Sequence, residues 1–454
     1  MNVTPDVKEM LTRLDQEITA KCGSTRGPLI EYYGTLKMYV GDRRTFTAGA
    51  GKDRATLGKF FALRLLEEMY NLGYNMHISS DLAREHDQAT WFFSKSAIPN
   101  ENRGRYRVCC IAPGGLRSNK LVLLHHDEYI KQAVMLALGD AWPKGVSKTE
   151  DIMSYGELLH EISLNGYWGQ TKEDGINTRK AICNLVGRMG GLNWKLLASS
   201  NLKGTADSFF FVYDPTFSAQ PNDFCMLSLS KNDRFRLINC NHLIEPLKTA
   251  ITAAGLSIQE QLIYYGSQEI KVRGNPWRSG SNREAIAARR SISRIMEVFG
   301  KHGYTPLYAI DVSRSLTDKA SILFWKNPSP MNCKYACLSL TSTKRLRLLD
   351  FPIDVGAAMR DCIHQFYPFG VQNEVKLPDS NLEINIKGWP WIVHALSKGA
   401  AFYHMRAVLG KMMAIAAQHG WYVSISADVS SKVGGDDNNQ YPLDVHSIYF
   451  VKMQ

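Results

Sequence analysis

The chain has 454 residues, of which 44% are hydrophobic, 10% aromatic and 21% charged; this excludes disordered and fibrous classes and leaves room for about three ordinary cores. The formal charge of +11 permits an anionic partner without demanding one. No apolar run approaches the roughly 18 residues that span a bilayer, and Met1 to Asp6 lack the basic and then apolar pattern of a secretory leader, so the expectation is a cytoplasmic or nuclear protein with no membrane insertion.

Taken in order, Thr4-Pro5-Asp6 starts a helix that continues through Leu11, Leu14 and Ile18 at spacings of three and four. A loop rich in Gly, Ser and Arg follows at 22–27. From there a single pattern recurs. A helical stretch (Leu57 to Leu72, Ile176 to Met189, Arg283 to Phe299, Ala401 to Ala417) runs into a glycine, at Gly73, Gly191, Gly303 and Gly420, which are separated by 118, 112 and 117 positions. Glycine there suits a left-handed helix cap, the conformation it adopts without steric cost. Before each helix lies a short strand ending in glycine and aromatics: Leu36 to Gly41, Leu158 to Trp168, Ile270 to Trp277 and Ile384 to Trp391. After each glycine come two strands joined by a polar turn. Two more follow in the first three copies, Tyr106 to Ile111 with Leu121 to Leu124, Cys225 to Leu229 with Phe235 to Ile238, and Tyr335 to Leu340 with Leu346 to Leu349. A second helix closes each of these copies: Asp127 to Leu138, His242 to Ala254 and Ile353 to Phe366.

The expected fold is α+β, built from tandem repeats of a strand-helix-four-strand-helix unit, each a five-stranded antiparallel sheet with its helices packed on one face. The expected boundaries are an N-terminal helix and loop at 1–34, units at 35–150, 151–265 and 266–372, and a partial unit at 373–454. Because Pro5-Asp6-Val7 parallels Pro352-Ile353-Asp354-Val355, the chain is expected to begin and end part-way through a unit, with its ends packed together. The element order resembles the half-domain of the TATA-binding protein saddle and helix-grip ligand-binding folds, a likeness of topology that carries no function.

The recurring acids, Asp81 with Asp87, Asn201 with Asp207, Asp311 with Asp318 and Asp428 with Asp444, bracket predicted hairpin turns. A cation would need four or more oxygens there. Turn residues that bond their own backbone explain the pattern better, since the second copy substitutes Asn201. Between 267 and 326, eleven Lys and Arg stand against five Asp and Glu. Lys271, Arg273, Trp277, Arg278, Arg289, Arg290, Arg294, Arg345, Arg347, Lys387, Trp389 and Trp391 together offer cations and stacking platforms for RNA or DNA. The competing readings are solvated helix faces for the charges and core packing for the tryptophans.

Three apparent motifs do not hold. Gly49-Ala50-Gly51-Lys52-Asp53 lacks the first glycine and the Ser or Thr of a phosphate loop. Cys333 and Cys337 have no second ligand pair, and the nine cysteines, an odd number scattered through apolar runs, read as buried thiols. His125 and His126 point to opposite faces of a strand end. No catalytic constellation, cofactor site or metal site emerges. The sequence therefore supports a non-enzymatic binding protein contacting nucleic acid through its third unit. The alternatives are a protein-protein scaffold, including a homo-oligomer, and a carrier of a small apolar ligand.

Overall fold

The computed structural model describes residues 4–22, 30–32, 35–37, 52–82, 89–96, 106–114, 119–169, 172–202, 206–278, 281–313, 319–392, 399–430, 433–434, 441–442 and 445–454. It opens with α1 (Pro5–Cys22), β1 (Ile30–Tyr32), β2 (Thr35–Lys37), α2 (Lys52–Asn71), β3 (Tyr74–Ser80) and β4 (Thr90–Lys95); β1 pairs with β2 and β3 with β4.

A hairpin-helix-hairpin-helix-hairpin order then runs three times. The first pass is β5 (Val108–Gly114), β6 (Lys120–Leu124), α3 (Glu128–Ala141), β7 (Val146–Ser154), β8 (Glu157–Leu164), α4 (Glu173–Gly191), β9 (Trp194–Ser200) and β10 (Ser208–Tyr213). The second is β11 (Phe224–Ser230), β12 (Arg234–Ile238), α5 (Ile244–Ala253), β13 (Ile258–Tyr264), β14 (Ser267–Val272), α6 (Asn282–Lys301), β15 (Tyr304–Ile310) and β16 (Ser321–Lys326). The third is β17 (Cys333–Thr341), β18 (Arg345–Leu349), α7 (Ile353–Phe366), β19 (Val371–Lys376), β20 (Leu382–Ile386), α8 (Ala400–Gln418), β21 (Tyr422–Ala427), the short pair β22 (Val433–Gly434) and β23 (Tyr441–Pro442), and β24 (Ser447–Met453).

Each pass closes one six-stranded antiparallel sheet, in the orders β7-β8-β6-β5-β10-β9, β13-β14-β12-β11-β16-β15 and β19-β20-β18-β17-β24-β21. The fold is thus the expected α+β tandem repeat, with one strand more per sheet. The strands not foreseen are β7, β13 and β19. All three are edge strands with largely exposed side chains, so they lack the apolar alternation that marks a half-buried strand. The phase of the repeat differs as well. Each sheet starts at the hairpin that the sequence reading placed mid-unit, and 373–454 supplies β20, β21 and β24 to the third sheet, with α8 between β20 and β21 in sequence.

Helix α6 shows how sequence makes these elements. Ser281 Oγ accepts from the Glu284 amide at 3.2 Å, which caps the helix start, while Glu284 Oε1 accepts from Asn275 N at 2.8 Å and ties the helix to the preceding loop. Ile292, Ile295, Met296 and Phe299 form its buried stripe. Gly303, at φ +83°, ends it. The same left-handed residue is Gly73 after α2 and Gly420 after α8, but Asn193 (φ +64°) after α4; Gly191 is the last residue of that helix.

The chain divides into two compact bodies, one of Met1–Ser79, Trp91–Asn222 and Val312–Arg314, the other of Ser80–Thr90, Asp223–Asp311 and Ser315–Gln454. In the first, Met10, Leu14, Ile18, Leu57, Phe60 and Leu63 from α1 and α2 pack on Val108, Cys110, Ala112 and Phe210 of the first sheet. The second encloses one core in which Ile292, Ile295 and Phe299 of α6 join Cys225, Leu227 and Phe324 of the second sheet to Cys337, Ile425 and Tyr449 of the third. In the third sheet Ala336, Leu338 and Leu340, which alternate with Cys337 and Ser339, are buried too, so both faces are covered.

Candidate functional site

Strand alternation sets Cys333, Tyr335, Cys337, Ser339 and Thr341 of β17 on the face that meets α6. Register then carries one polar row across four strands, Ser447 beside Ser339, Ser339 beside Arg347, and Arg347 beside Glu383. Every member is at least nine-tenths buried. Arg347 Nε donates to Glu383 Oε2 at 2.8 Å and its Nη2 to Asn282 Oδ1, on the first turn of α6, at 2.6 Å. Arg345 adds a second guanidinium 3.3 Å from Glu383 Oε1. Burial pushes the Arg347 pKa down, Glu383 pulls it back up, and Arg345 and Arg289 push it down further.

The second sheet repeats this row as Ser321, Ser228, Arg236 and Glu269, with Arg236 and Arg234 both ion-paired to Glu269. The first sheet keeps Glu161, held by Lys120, but places Val122 where the arginine would stand. The sequence reading did not include Ser339, Glu383 or Ser447. The signal it passed over is the pairing of Ser228-Leu229-Ser230 with Arg234-Phe235-Arg236, repeated as Ser339-Leu340-Thr341 with Arg345-Leu346-Arg347.

A second repeated feature is a cation in the helix preceding each final hairpin. Lys59, Arg179, Arg289 and Arg406 each stand fourteen residues before the left-handed residue of their copy, Gly73, Asn193, Gly303 and Gly420. Lys59 Nζ reaches Pro113 O at 3.4 Å, while Arg179 and Arg289 each donate Nη1 to the carbonyl four residues back, at 2.8 and 3.1 Å. Arg289 Nε also reaches Ser447 Oγ at 3.2 Å, and Arg406 Nε reaches Thr90 Oγ1 at 2.7 Å; each hydroxyl begins a strand, β24 and β4. Lys59 and Arg289 thereby tie a helix to a strand of the same body.

Of the twelve residues expected to meet nucleic acid, seven lie in the core or in internal ion pairs. Trp277 is fully buried against Phe235, and Trp391 is buried with Nε1 donating to Arg345 O at 3.2 Å. Arg289 and Arg347 are 2% exposed. Arg290 binds Asp350 and Asp379, Arg294 binds Glu297 and Asp350, and Arg345 binds Glu383. Lys271 is half-buried on β14, and Arg273, Arg278, Lys387 and Trp389 remain exposed.

Of the recurring acids, Asp428 bonds as a turn residue does, whereas Asp207 bonds a serine side chain eight positions back. Asp428 Oδ1 accepts from Ser430 N at 2.9 Å, and Asp207 Oδ2 accepts from Ser199 Oγ at 2.8 Å. Asp87, Asp318 and Asp444, with Gly49 to Gly51, lie outside the described residues. Near Asp81 stands His446, whose Nδ1 accepts the Asp81 amide at 3.3 Å while its own amide donates to Asp81 O at 3.1 Å. An accepting Nδ1 makes the imidazole neutral, and burial lowers its pKa from 6.5 to about 4. Among the described residues no group of three or more His, Cys, Asp or Glu could hold a metal ion, and the cysteines whose side chains are described are buried thiols. No described helix is long and apolar enough to cross a membrane.

Fold and site together define a tandem α+β repeat protein with a buried polar row in its second and third sheets. One family model, that of a single domain, matches the chain three times, over 108–212, 223–325 and 334–451. These spans coincide with the three sheets and cover more than half of the chain, which therefore belongs to this domain family. No curated protein and no solved structure matches it.

Proposed function

We propose that the chain is a non-enzymatic intracellular scaffold whose repeats dock another polypeptide along the open edges of their sheets. The observation that carries this reading is that β7, β13 and β19 end their sheets at equivalent places and turn most of their side chains to solvent. Each exposes a large apolar residue, Met153, Ile263 and Val375, the last at 40%. An edge strand offers unpaired amides and carbonyls to which an extended peptide can add. The central strands, buried on both sides, can offer none.

The test is cross-linking mass spectrometry of the full chain in its own cells, beside a variant carrying Met153→Glu, Ile263→Glu and Val375→Glu. Cross-links from partner proteins should concentrate at the three edge hairpins and disappear in the variant, whose melting temperature should stay within a few degrees of the parent. Cross-links that survive the triple substitution would overturn the reading.

A second reading, nucleic-acid binding, retains support from the exposed Arg273, Arg278, Lys387 and Trp389, which share two equivalent loops before α6 and α8. Phosphate contacts would make such binding fall steeply with salt. Arg273→Glu, Arg278→Glu and Lys387→Glu together should then abolish affinity for RNA and DNA, and an unchanged affinity would remove this alternative.

A further inference from the structure

The polar rows of the second and third sheets are built from the same residues but satisfied differently. In the second, Arg236 Nη1 donates to Ser230 Oγ at 3.1 Å, and Ser230 in turn lies 3.3 Å from Ser228 Oγ. The row closes on itself. In the third, Arg347 turns to Asn282 and Glu383 instead, and the equivalent hydroxyls, Ser339 Oγ and Thr341 Oγ1, have no hydrogen-bond partner although Ser339 is fully buried and Thr341 is 6% exposed. Buried hydroxyls are rarely left so, because an unmet one costs about 1–3 kcal/mol.

The two hydroxyls face a positive surface. Ser339 stands directly across from Arg347, and Thr341 directly across from Arg345. Such opposed side chains lie about 5 Å apart at Cβ. The two guanidiniums share one carboxylate, Glu383, so the row carries one more cation than anion among these groups. The N-terminus of α6, through Asn282, adds its positive dipole end. Arg345 keeps a third of its side chain exposed, and Asn282 is exposed.

We propose that the row formed by Ser339, Thr341, Arg345 and Arg347 is a binding site for a phosphate-like oxyanion. Two hydroxyl donors and two guanidinium forks suit a tetrahedral group with several acceptor oxygens. An uncharged ligand would leave the excess guanidinium uncompensated.

The probe is inorganic phosphate, titrated into the full chain at constant pH and ionic strength against chloride, with melting temperature as the readout. Melting should rise with phosphate and saturate. A double variant, Ser339→Ala with Thr341→Val, should lose the response, with apparent affinity about tenfold or more weaker. Its melting temperature without phosphate should be no lower than the parent's, since neither hydroxyl has a partner to lose. Should that variant fail to fold, Arg345→Gln on the partly exposed side chain reads the same loss.

A nucleoside 5′-monophosphate, run in parallel, separates the sources: a response to both ligands supports a terminal phosphate group, and a response to inorganic phosphate alone supports the free ion. A parent chain without a saturable response overturns the proposal. So does a variant that keeps the response, which would mean an adventitious ion only.

Discussion

Lowering the pH should loosen the second body through His446. Its imidazole is neutral in the folded chain and accepts the Asp81 amide, with a pKa of about 4 against 6.5 when unfolded. The folded state therefore refuses a proton that the unfolded state takes up below 6.5. The contribution of this group to stability is complete above pH 6.5 and is lost as pH falls toward 4. At about 1.4 kcal/mol per unit of pKa, the total is about 3 kcal/mol, of which about 2 should be gone at pH 5. The comparison is His446→Asn, whose side-chain oxygen can still accept the amide but cannot titrate. Pulse hydrogen exchange of peptides covering β24 across a urea series, at pH 7.5 and pH 5, measures the opening free energy where His446 sits. The parent should lose about 2 kcal/mol more than the variant between the two values. Equal losses would refute the assignment of a neutral, desolvated histidine.

Three further outcomes follow from the packing. Arg289→Glu should lower stability by about 3–5 kcal/mol, visible as a large fall in melting temperature, because it puts a carboxylate where a buried cation meets Ser447 and Ala285 O. Trp277→Ala should cost about 3–5 kcal/mol in urea unfolding, whereas Trp389→Ala, at an exposed position, should stay within about 0.5 kcal/mol. Gly187→Ala should destabilise the first body by about 1–3 kcal/mol in the same assay, since the added Cβ would lie 2.3 Å from Pro221 Cα.

The period of the repeat was readable because it rests on local chemistry. Helices such as α6 announce themselves by an apolar stripe and a residue that tolerates positive φ, and both signals lie within one stretch of chain. Asn193 shows how such a signal slips: asparagine can take the left-handed turn, so Gly191, two positions earlier and inside α4, drew the alignment. The edge strands β7, β13 and β19 were hidden because solvent on their side chains erases the two-residue period. The polar rows were hidden for another reason. Arg347 and Glu383 are thirty-six positions apart, so the cancellation of their charge appears only once the strands are paired; the Arg289 and Ser447 hydrogen bond spans one hundred and fifty-eight. A run of cations looked like a surface for phosphates although much of it is neutralised inside.

Helix α6 belongs to two sheets at once. Its apolar stripe packs in the second, while Arg289 and Glu297 bond Ser447 and the Tyr335 amide of the third. Such a helix leaves no seam at which a protease or a truncation could part the two repeats cleanly. A fragment ending at 326 would keep every element of the second matched domain and still strip one side of its central helix bare. The matched spans mark the repeat, but the packing shared through α6 predicts that two of them melt together.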